Sequence, residues 1–218
     1  QELEELEATL HGTRGFLVVG FNRRFSSHAR AVREAFAERH GPLSLHYRIA
    51  AGPPPQGSWI LDPRSGGGRV VGEMCHFVDL CTYLVGALPD SVHARRLGRD
   101  PQTDDSVVAV LGYPDGSTAT LEYLAHASPE LPKERFEVSG EGRTARCENF
   151  RTTEISDRDA VRSFNQDKGQ RTAMREVLEA LRAGRPAPMP SEAIFGVSRA
   201  TFAILEAAAR GQVVRLDA

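Results

Sequence analysis

Three residues able to take part in proton transfer lie three positions apart in the segment GGGRVVGEMCHFVD, residues 66–79. They are Glu73, His76 and Asp79. The apolar residues of the same region that follow a helical period are Val70, Met74, Phe77, Cys81 and Leu84. This period predicts a core-facing helix with the three polar residues along one flank, outside its apolar stripe. On such a flank a carboxylate can orient or charge an imidazole, although a half-buried histidine bonded to backbone is the structural alternative.

The composition is that of an ordinary folded protein. The chain has 218 residues, of which 40% are hydrophobic and 26% are charged, and its net charge is -2. These values argue against disorder and against nucleic acid as a partner. No apolar run reaches about 18 residues, and the N-terminus, QELEELE, is acidic, so we expect neither a membrane span nor a signal peptide. The default expectation is a cytoplasmic protein.

The cysteines and histidines do not form a recognised ligand pattern. The three cysteines contain no CxxC pair, and the seven histidines contain no HxxxH motif. An odd number of cysteines in a chain of this size indicates reduced, intracellular thiols. We therefore predict neither a structural disulfide nor a metal site.

The first part of the chain combines helical and strand patterns. Residues 2–11 have leucines at helical spacing, which predicts a short amphipathic helix. Residues 15–20, GFLVVG, form the kind of apolar run that is buried on both faces in a parallel sheet. Residues 15–20 are the only run of this kind before the helical pattern of residues 27–40 begins. We therefore expect the chain to start inside a parallel α/β layer whose other strands are missing. A helix over residues 27–40 and a half-exposed strand, LSLHYRI, over residues 43–49 are predicted next.

The second half of the chain begins with strands and ends with helices. Between residues 91 and 155, six strand-like runs are separated by turn signals, which predicts a largely antiparallel sheet. Two helices are predicted after it, over residues 170–183 and 191–210, with Ser191 as the N-cap of the second. The residues expected to face inward are Met174, Val177, Leu178 and Leu181 on the first helix and Ile194, Val197, Ile204 and Leu205 on the second.

Several motifs occur in an order that resembles one oxidoreductase family. VGFNRRFS, residues 19–26, is similar to the junction between a nucleotide-binding domain and a second domain, and GGGRVVGEMCHFVDL, residues 66–80, is similar to a glycine-led helix that carries a histidine. The family is the glucose-fructose oxidoreductase, inositol dehydrogenase and rhizopine dehydrogenase group, Gfo/Idh/MocA. The runs PDGSTATLEYLA, PKERFEV and FNQDKG resemble the branch in which this module is fused behind a zinc-type alcohol dehydrogenase module. The resemblance covers residues 15–213.

The resemblance implies an α+β fold: an open, mainly antiparallel sheet with helices packed on one face, preceded by a remnant helix and strand of a Rossmann domain. Residues 1–25 would be that remnant and the junction, and residues 26–218 would be the substrate-binding and oligomerisation domain. The N-terminal Rossmann domain of the family binds NAD or NADP. Because this chain has no strand followed by GxGxxG and no Glu-Lys-Pro motif, we expect that domain to be missing. We therefore expect neither a bound cofactor nor turnover with this chain alone.

Within the resemblance, His76 takes the place of the catalytic histidine, which is expected to move a proton at a substrate hydroxyl as hydride leaves its carbon. The family has an aspartate four residues before this histidine, where this chain has Gly72. Glu73 is the adjacent carboxylate and the second catalytic candidate, although a shift of one residue turns a side chain about 100° round a helix. A solvated carboxylate at the helix start is its structural alternative.

Other residues are candidates for binding. Asn22 and Arg23 are assigned to the cofactor because they follow a strand end, where open α/β sheets bind ligands, and because arginine suits phosphate. A salt-bridged hinge is the alternative for the arginines of this segment. The candidates for substrate binding are Arg24, Trp59, Tyr123, Lys133, Arg135 and Lys168, with Glu134 expected at the same pocket. Trp59 alternatively fills a core, and Lys168 alternatively belongs to a loop that fixes a helix start.

These observations predict the substrate-binding and assembly domain of an NAD(P)-dependent oxidoreductase that acts on a sugar-like or cyclitol hydroxyl. Its partners would be a small sugar-like substrate, the missing nucleotide-binding domain and further copies of itself in a homo-oligomer. Two alternatives stay open. One is a non-catalytic module for oligomerisation or scaffolding, in which Gly72 marks a lost site. The other is a binding domain for a polar metabolite without a redox role.

Overall fold

The computed structural model describes residues 2–11, 16–53, 68–98 and 105–216. Its α-helices are α1 (Glu2–His11), α2 (Ser27–Ala35), α3 (Cys75–Val85), α4 (Gln170–Arg182) and α5 (Ser191–Arg210). Its strands are β1 (Ser44–Ala50), β2 (Ser91–Arg96), β3 (Val107–Gly112), β4 (Thr118–Leu124), β5 (Glu134–Gly140), β6 (Arg143–Glu148), β7 (Thr152–Ile155), β8 (Val161–Arg162) and β9 (Val214–Arg215). Two shorter helical elements precede α2 and α3: the 3-10 helix Asn22–Phe25 and the π-helical turn Val70–Met74.

The nine strands of the described residues form one sheet in the order β8-β7-β6-β5-β1-β4-β3-β2-β9. Strands β1 and β4 are parallel, and the other pairs of described strands are antiparallel. This arrangement confirms the predicted open, mainly antiparallel sheet. Each of the six runs predicted between residues 91 and 155 contains a strand. The predicted runs ERFEVSG and RTARCE coincide with β5 and β6.

One face of the sheet is buried and the other is open. Along β4, for example, Ala119, Leu121 and Tyr123 are buried, while the residues between them are half-buried. Successive side chains of a strand point to opposite faces, so this alternation assigns the buried set to one face. Helices α3 and α5 pack together and contact β4 and β2 respectively, and α2 contacts β7. Helices α2, α3 and α5 therefore cover the apolar face, which agrees with the predicted packing of helices on one face of the sheet.

Helix α3, which carries His76, is anchored by its apolar stripe. The five predicted stripe residues, each at most 2% exposed, are Val70, Met74, Phe77, Cys81 and Leu84. The first two belong to the π-helical turn that runs directly into α3, and such turns often occur at functional sites. Helix α3 ends at Gly86, which has the left-handed conformation common at helix C-termini. Burial of the stripe fixes the position of His76 in the first turn of α3.

Two apolar segments are not covered in the way that the sequence predicts. Residues 16–20 form no strand, and Val18 is 43% exposed. On α4, Met174, Leu178 and Leu181 are 61%, 42% and 51% exposed, so the prediction that these three face inward is wrong for the described residues. An apolar period identifies one face of a segment, but it does not supply the surface that covers this face.

The last helix follows its predicted pattern more closely. Ile194, Val197 and Ile204 of α5 are buried in the core. The predicted N-cap is displaced by one residue, because Ser191 is already helical and Pro190 occupies the N-cap position. Proline fits at this helix start, where the first backbone N–H groups have no partner within the helix.

The loop before α4 is packed tightly against the 3-10 helix. The side chain of Asp167 accepts hydrogen bonds from the backbone N–H and the hydroxyl of Ser27, at 3.0 and 2.7 Å. The side-chain amide of Asn22 donates to the carbonyl oxygen of Lys168 at 2.6 Å. Gly169 has φ +84°, and a Cβ atom there would lie 2.3 Å from the carbonyl oxygen of Asn22. Position 169 therefore requires glycine both for its conformation and for the space around it.

Gly169→Ala should lower the free energy of unfolding by at least about 3 kcal/mol, because alanine adds left-handed strain and overpacks the neighbouring backbone. Gly184→Ala is the matched control, since Gly184 also has a positive φ, +59°, but has no atom within 4 Å of its Cβ position. We expect the control to cost about 1 kcal/mol. Urea denaturation measures both values, and equal losses would show that the close packing at position 169 contributes nothing.

Candidate functional site

His76 lies half-buried in the first turn of α3, in contact with the segment that leads into the 3-10 helix. Its ring meets the ring of Phe21 edge to face, with the centroids 5.8 Å apart. Its Nδ1 atom is buried without a hydrogen-bond partner among the described residues. A ring whose Nδ1 is enclosed in this way can offer only Nε2 to a ligand. His76 therefore presents one nitrogen atom for chemistry.

The surroundings of His76 keep its imidazole neutral. Burial lowers the pKa of His76 to about 4, and the positive charges of Arg23 and Lys168 act in the same direction. The negative charges of Glu134 and Glu73 oppose this shift but do not outweigh it. At pH 7 the imidazole is therefore neutral and can accept a proton, as a general base must.

The carboxylate of Glu134 holds two cations and a phenol close to His76. It is buried, and Arg23 donates to it from Nε and Nη2 at 2.7 and 2.9 Å. The Nζ atom of Lys168 lies 2.6 Å from its Oε1, and the hydroxyl of Tyr47 donates to its Oε2. Burial would raise the pKa of Glu134, but the hydrogen bonds and charges of Arg23 and Lys168 outweigh burial and lower this pKa to about 2. The charged carboxylate therefore joins the 3-10 helix, β1, β5 and the loop before α4.

A second ion pair ties the same segment to α3. Arg24 donates to the buried carboxylate of Asp79 through Nε, at 3.0 Å from Oδ2, and through Nη2. The guanidinium of Arg24 also lies over the ring of Tyr83, 5.4 Å from its centroid. Burial raises the pKa of Asp79 to about 6, although the hydrogen bonds and charge of Arg24 act against this rise. This pair is the salt-bridged arrangement that the sequence left open for the arginines of this segment.

Glu73 is held by two neighbours. The hydroxyl of Tyr123 donates to its Oε2 at 2.8 Å, and Nε of Arg69 lies 3.5 Å from its Oε1. Because Glu73 lies in the π-helical turn, its rotation relative to His76 differs from that in a regular α-helix. Its charge nevertheless acts on His76. A catalytic role for Glu73 stays a prediction, and Tyr123 contributes here by fixing the carboxylate of Glu73.

The remaining predicted substrate-binding residues lie in different places. Trp59 is outside the described residues. Lys133 is exposed immediately before β5. Arg135 is exposed and lies on the open face of the sheet, because Glu134 points to the buried face and successive side chains alternate. This placement argues against Arg135 as a residue of the same pocket.

The anchoring role of Glu134 and the participation of Tyr47 are not predicted from the sequence above. The sequence does contain a signal for Glu134, because it shares its strand parity with Phe136 and Val138, both of which are buried. A carboxylate at an inward-facing strand position needs a buried partner, since an unpaired charge is too costly in a core. The same rule predicts that a cation from another part of the chain pairs with Glu134.

Glu134→Gln should lower the free energy of unfolding by about 3–5 kcal/mol, because it leaves Arg23 and Lys168 buried without their shared anion. Since folding lowers the pKa of Glu134 from 4.5 to about 2, this stabilisation is present above pH 4.5 and is lost as the pH falls towards 2. Urea denaturation at several pH values measures both effects.

The matched control for this variant is Glu137→Gln, on the same strand. Glu137 pairs with Arg146 at the surface, with both side chains largely exposed, so we expect a loss below about 1 kcal/mol. A loss for Glu134→Gln no greater than that of the control would mean that the buried pairing does not stabilise the fold.

The chain matches a protein family and solved structures of the same fold. Residues 41–146 match the family described as GFO/IDH/MocA C-terminal domain. An NAD binding oxidoreductase from Klebsiella pneumoniae has a TM-score of 0.83 at 15% identity, over 100% of this chain and 71% of that chain. An aldose-aldose oxidoreductase from Caulobacter crescentus, complexed with glycerol, has a TM-score of 0.80 at 18% identity, over 98% and 68%. An oxidoreductase from Agrobacterium radiobacter, in complex with NAD+, L-tartaric acid and magnesium, has a TM-score of 0.74 at 15% identity, over 98% and 68%.

Three further properties of the chain are negative findings. No curated protein sequence matches the chain. None of the described helices is long and apolar enough to cross a membrane. In the described ranges, no three His, Cys, Asp or Glu side chains come together as metal ligands. Residues 41–146 are therefore similar to the GFO/IDH/MocA C-terminal domain, and the whole chain shares its fold with these oxidoreductases.

Proposed function

We propose that this chain is the substrate-binding and assembly part of an NAD(P)-dependent oxidoreductase that acts on a sugar-like or cyclitol hydroxyl. The observation that carries the proposal is the position of His76 at the start of α3, with Nδ1 buried and without a partner among the described residues. The family resemblance assigns the catalytic histidine to this same position. The family match over residues 41–146 includes His76, and an aldose-aldose oxidoreductase shares the fold.

In the proposed reaction, His76 accepts the proton of the substrate hydroxyl at Nε2. Loss of this proton allows the carbonyl group to form as hydride leaves the carbon. The positive charges of Arg23 and Lys168 disfavour the imidazolium before the reaction, which keeps the base free of a proton. The same charges favour the negative charge that develops on the substrate oxygen. The hydride acceptor in this proposal is NAD or NADP, held by a nucleotide-binding domain outside this chain.

The contacts of Asn22 and Arg23 do not fit a dinucleotide. The guanidinium fork of Arg23 is bound to Glu134, and the side-chain amide of Asn22 is bound to the carbonyl oxygen of Lys168. With two of its five N–H groups bound to Glu134 and its side chain only 9% exposed, Arg23 presents little free surface to a phosphate. Cofactor binding by these two residues stays a prediction. Neighbours that bind NAD or contain NAD+ support NAD as the cofactor of the complete protein.

An apolar surface supports the presence of a second domain next to the site. Val18 and the α4 residue Met174 are exposed and line a groove of about 250 Å³. Exposed apolar patches of this kind often mark interaction sites. Phe21 lines the same groove and also packs against His76, so a domain docked there would approach the catalytic histidine. We assign this surface to the missing nucleotide-binding domain.

The open sheet face is the surface that we assign to assembly into a homo-oligomer. Exposed charges of both signs lie on it, and some pair across strands, such as Arg146 with Glu137 at 2.9 Å. Exposed and buried residues alternate along β1, β4 and β6, so a broad polar face is left without a covering helix among the described elements. A second copy of the chain could cover such a face with a self-complementary pattern of charges.

Two finer predictions belong to the same proposal. The runs PDGSTATLEYLA, PKERFEV and FNQDKG support the branch that is fused behind a zinc-type alcohol dehydrogenase module. The odd number of cysteines supports a cytoplasmic protein.

In the full-length protein, His76→Asn should reduce turnover by about 100-fold or more, because asparagine cannot take the proton of the hydroxyl. NAD(P)H absorbance with a panel of sugars and cyclitols measures turnover, and circular dichroism checks the fold. The control is His40→Asn, which changes an exposed histidine before β1 and should leave turnover unchanged. If turnover is also unchanged in His76→Asn, the histidine has only a structural role.

This chain alone should bind NADH only weakly, because it contains no strand-GxGxxG-helix motif to hold the pyrophosphate. Isothermal titration calorimetry of this chain, beside the full-length protein as the positive control, measures the difference. A micromolar dissociation constant for this chain would contradict the assignment of the cofactor site to a separate domain.

A further inference from the structure

The cluster around Glu134 carries more positive than negative charge. Arg23 and Lys168 both pair with this one carboxylate, so the three groups leave one positive charge in excess. The two neighbouring ion pairs, Arg24 with Asp79 and Arg69 with Glu73, each have no net charge. Among the described residues, neither Arg23 nor Lys168 pairs with another carboxylate. A largely buried excess charge is unfavourable until an anion balances it.

Lys168 is the cation of this cluster that can meet a ligand. Two of the five N–H groups of Arg23 are bound to Glu134, and its guanidinium carbon also lies 4.7 Å from the ring centroid of Phe77. The ammonium of Lys168 has three N–H groups, and its contact with Glu134 uses one of them. The side chain of Lys168 is 15% exposed, against 9% for Arg23. The charge of Lys168 also acts on His76.

We propose that Lys168 makes this site selective for substrates that carry one carboxylate, the class of sugar acids. The inference rests on the proposed function, because it names the substrate class of the same site. One excess positive charge matches one carboxylate, whereas a phosphate monoester carries about two negative charges near neutral pH. The carboxylate would receive charge-assisted hydrogen bonds from Lys168 while His76 takes the proton of a hydroxyl elsewhere on the sugar.

Calorimetric binding to the full-length protein in the presence of NAD+ or NADP+ tests this inference. The ligands are D-glucuronate and D-galacturonate, each compared with its parent hexose. We expect each hexuronate to bind about 10-fold more tightly or better, the effect of one added charge-assisted hydrogen bond. Lys168→Gln should abolish this preference. The matched control, Arg171→Gln, removes an exposed cation from the first turn of α4 and should retain the preference.

Three outcomes would overturn the inference: equal binding within both sugar pairs, no binding of either hexuronate, or tighter binding of glucose 6-phosphate than of glucuronate. If circular dichroism shows that Lys168→Gln does not fold, the inference is tested by the comparison of each hexuronate with its parent hexose in the unmodified protein. Oxidation is measured separately by NAD(P)H absorbance. If hexuronates bind preferentially but no sugar or cyclitol is oxidised, the proposed function fails while the assignment of Lys168 holds.

Discussion

The buried carboxylate of Glu134 connects parts of the chain that are far apart in sequence. Its partners come from the 3-10 helix, from β1 and from the loop before α4. A buried ion pair that loses one member costs about 3–5 kcal/mol, so these segments are stable only together. The same contact places the charges of Arg23 and Lys168 close to His76. The protonation state of the histidine therefore follows from tertiary packing, whereas its position follows from the apolar stripe of α3.

The described residues form one part of the proposed catalytic site. Ion pairs on Glu134 and Asp79 form its rigid base, and Tyr123 fixes the carboxylate of Glu73 beside it. In front of this base, His76 offers one nitrogen atom and packs against Phe21. In the proposed reaction this site binds and deprotonates a hydroxyl, while another group accepts the hydride.

The sequence predicts this structure best where the deciding contacts are local. Alternation and turn residues between 91 and 155 are local signals, and the strands that they predict are confirmed. Residues 16–20 and the stripe of α4 are apolar in pattern but exposed, because a period does not show which surface covers it. Glu134 and Arg23 form a pair although they are far apart in the sequence, and the sequence around each residue does not indicate this contact. Arg135 is only one position from Glu134, yet strand alternation places it on the other face.

The position of β1 has a consequence for the way this chain is made. β1 is the first strand of the described sequence, yet it lies in the middle of the sheet between β4 and β5. Both neighbours are synthesised much later, and pairing across such separations is slow because large loops must close first. Unpaired strand edges are templates for aggregation. During translation, one edge of β1 therefore stays open to wrong partners until β4 has left the ribosome, and the other edge until β5 has.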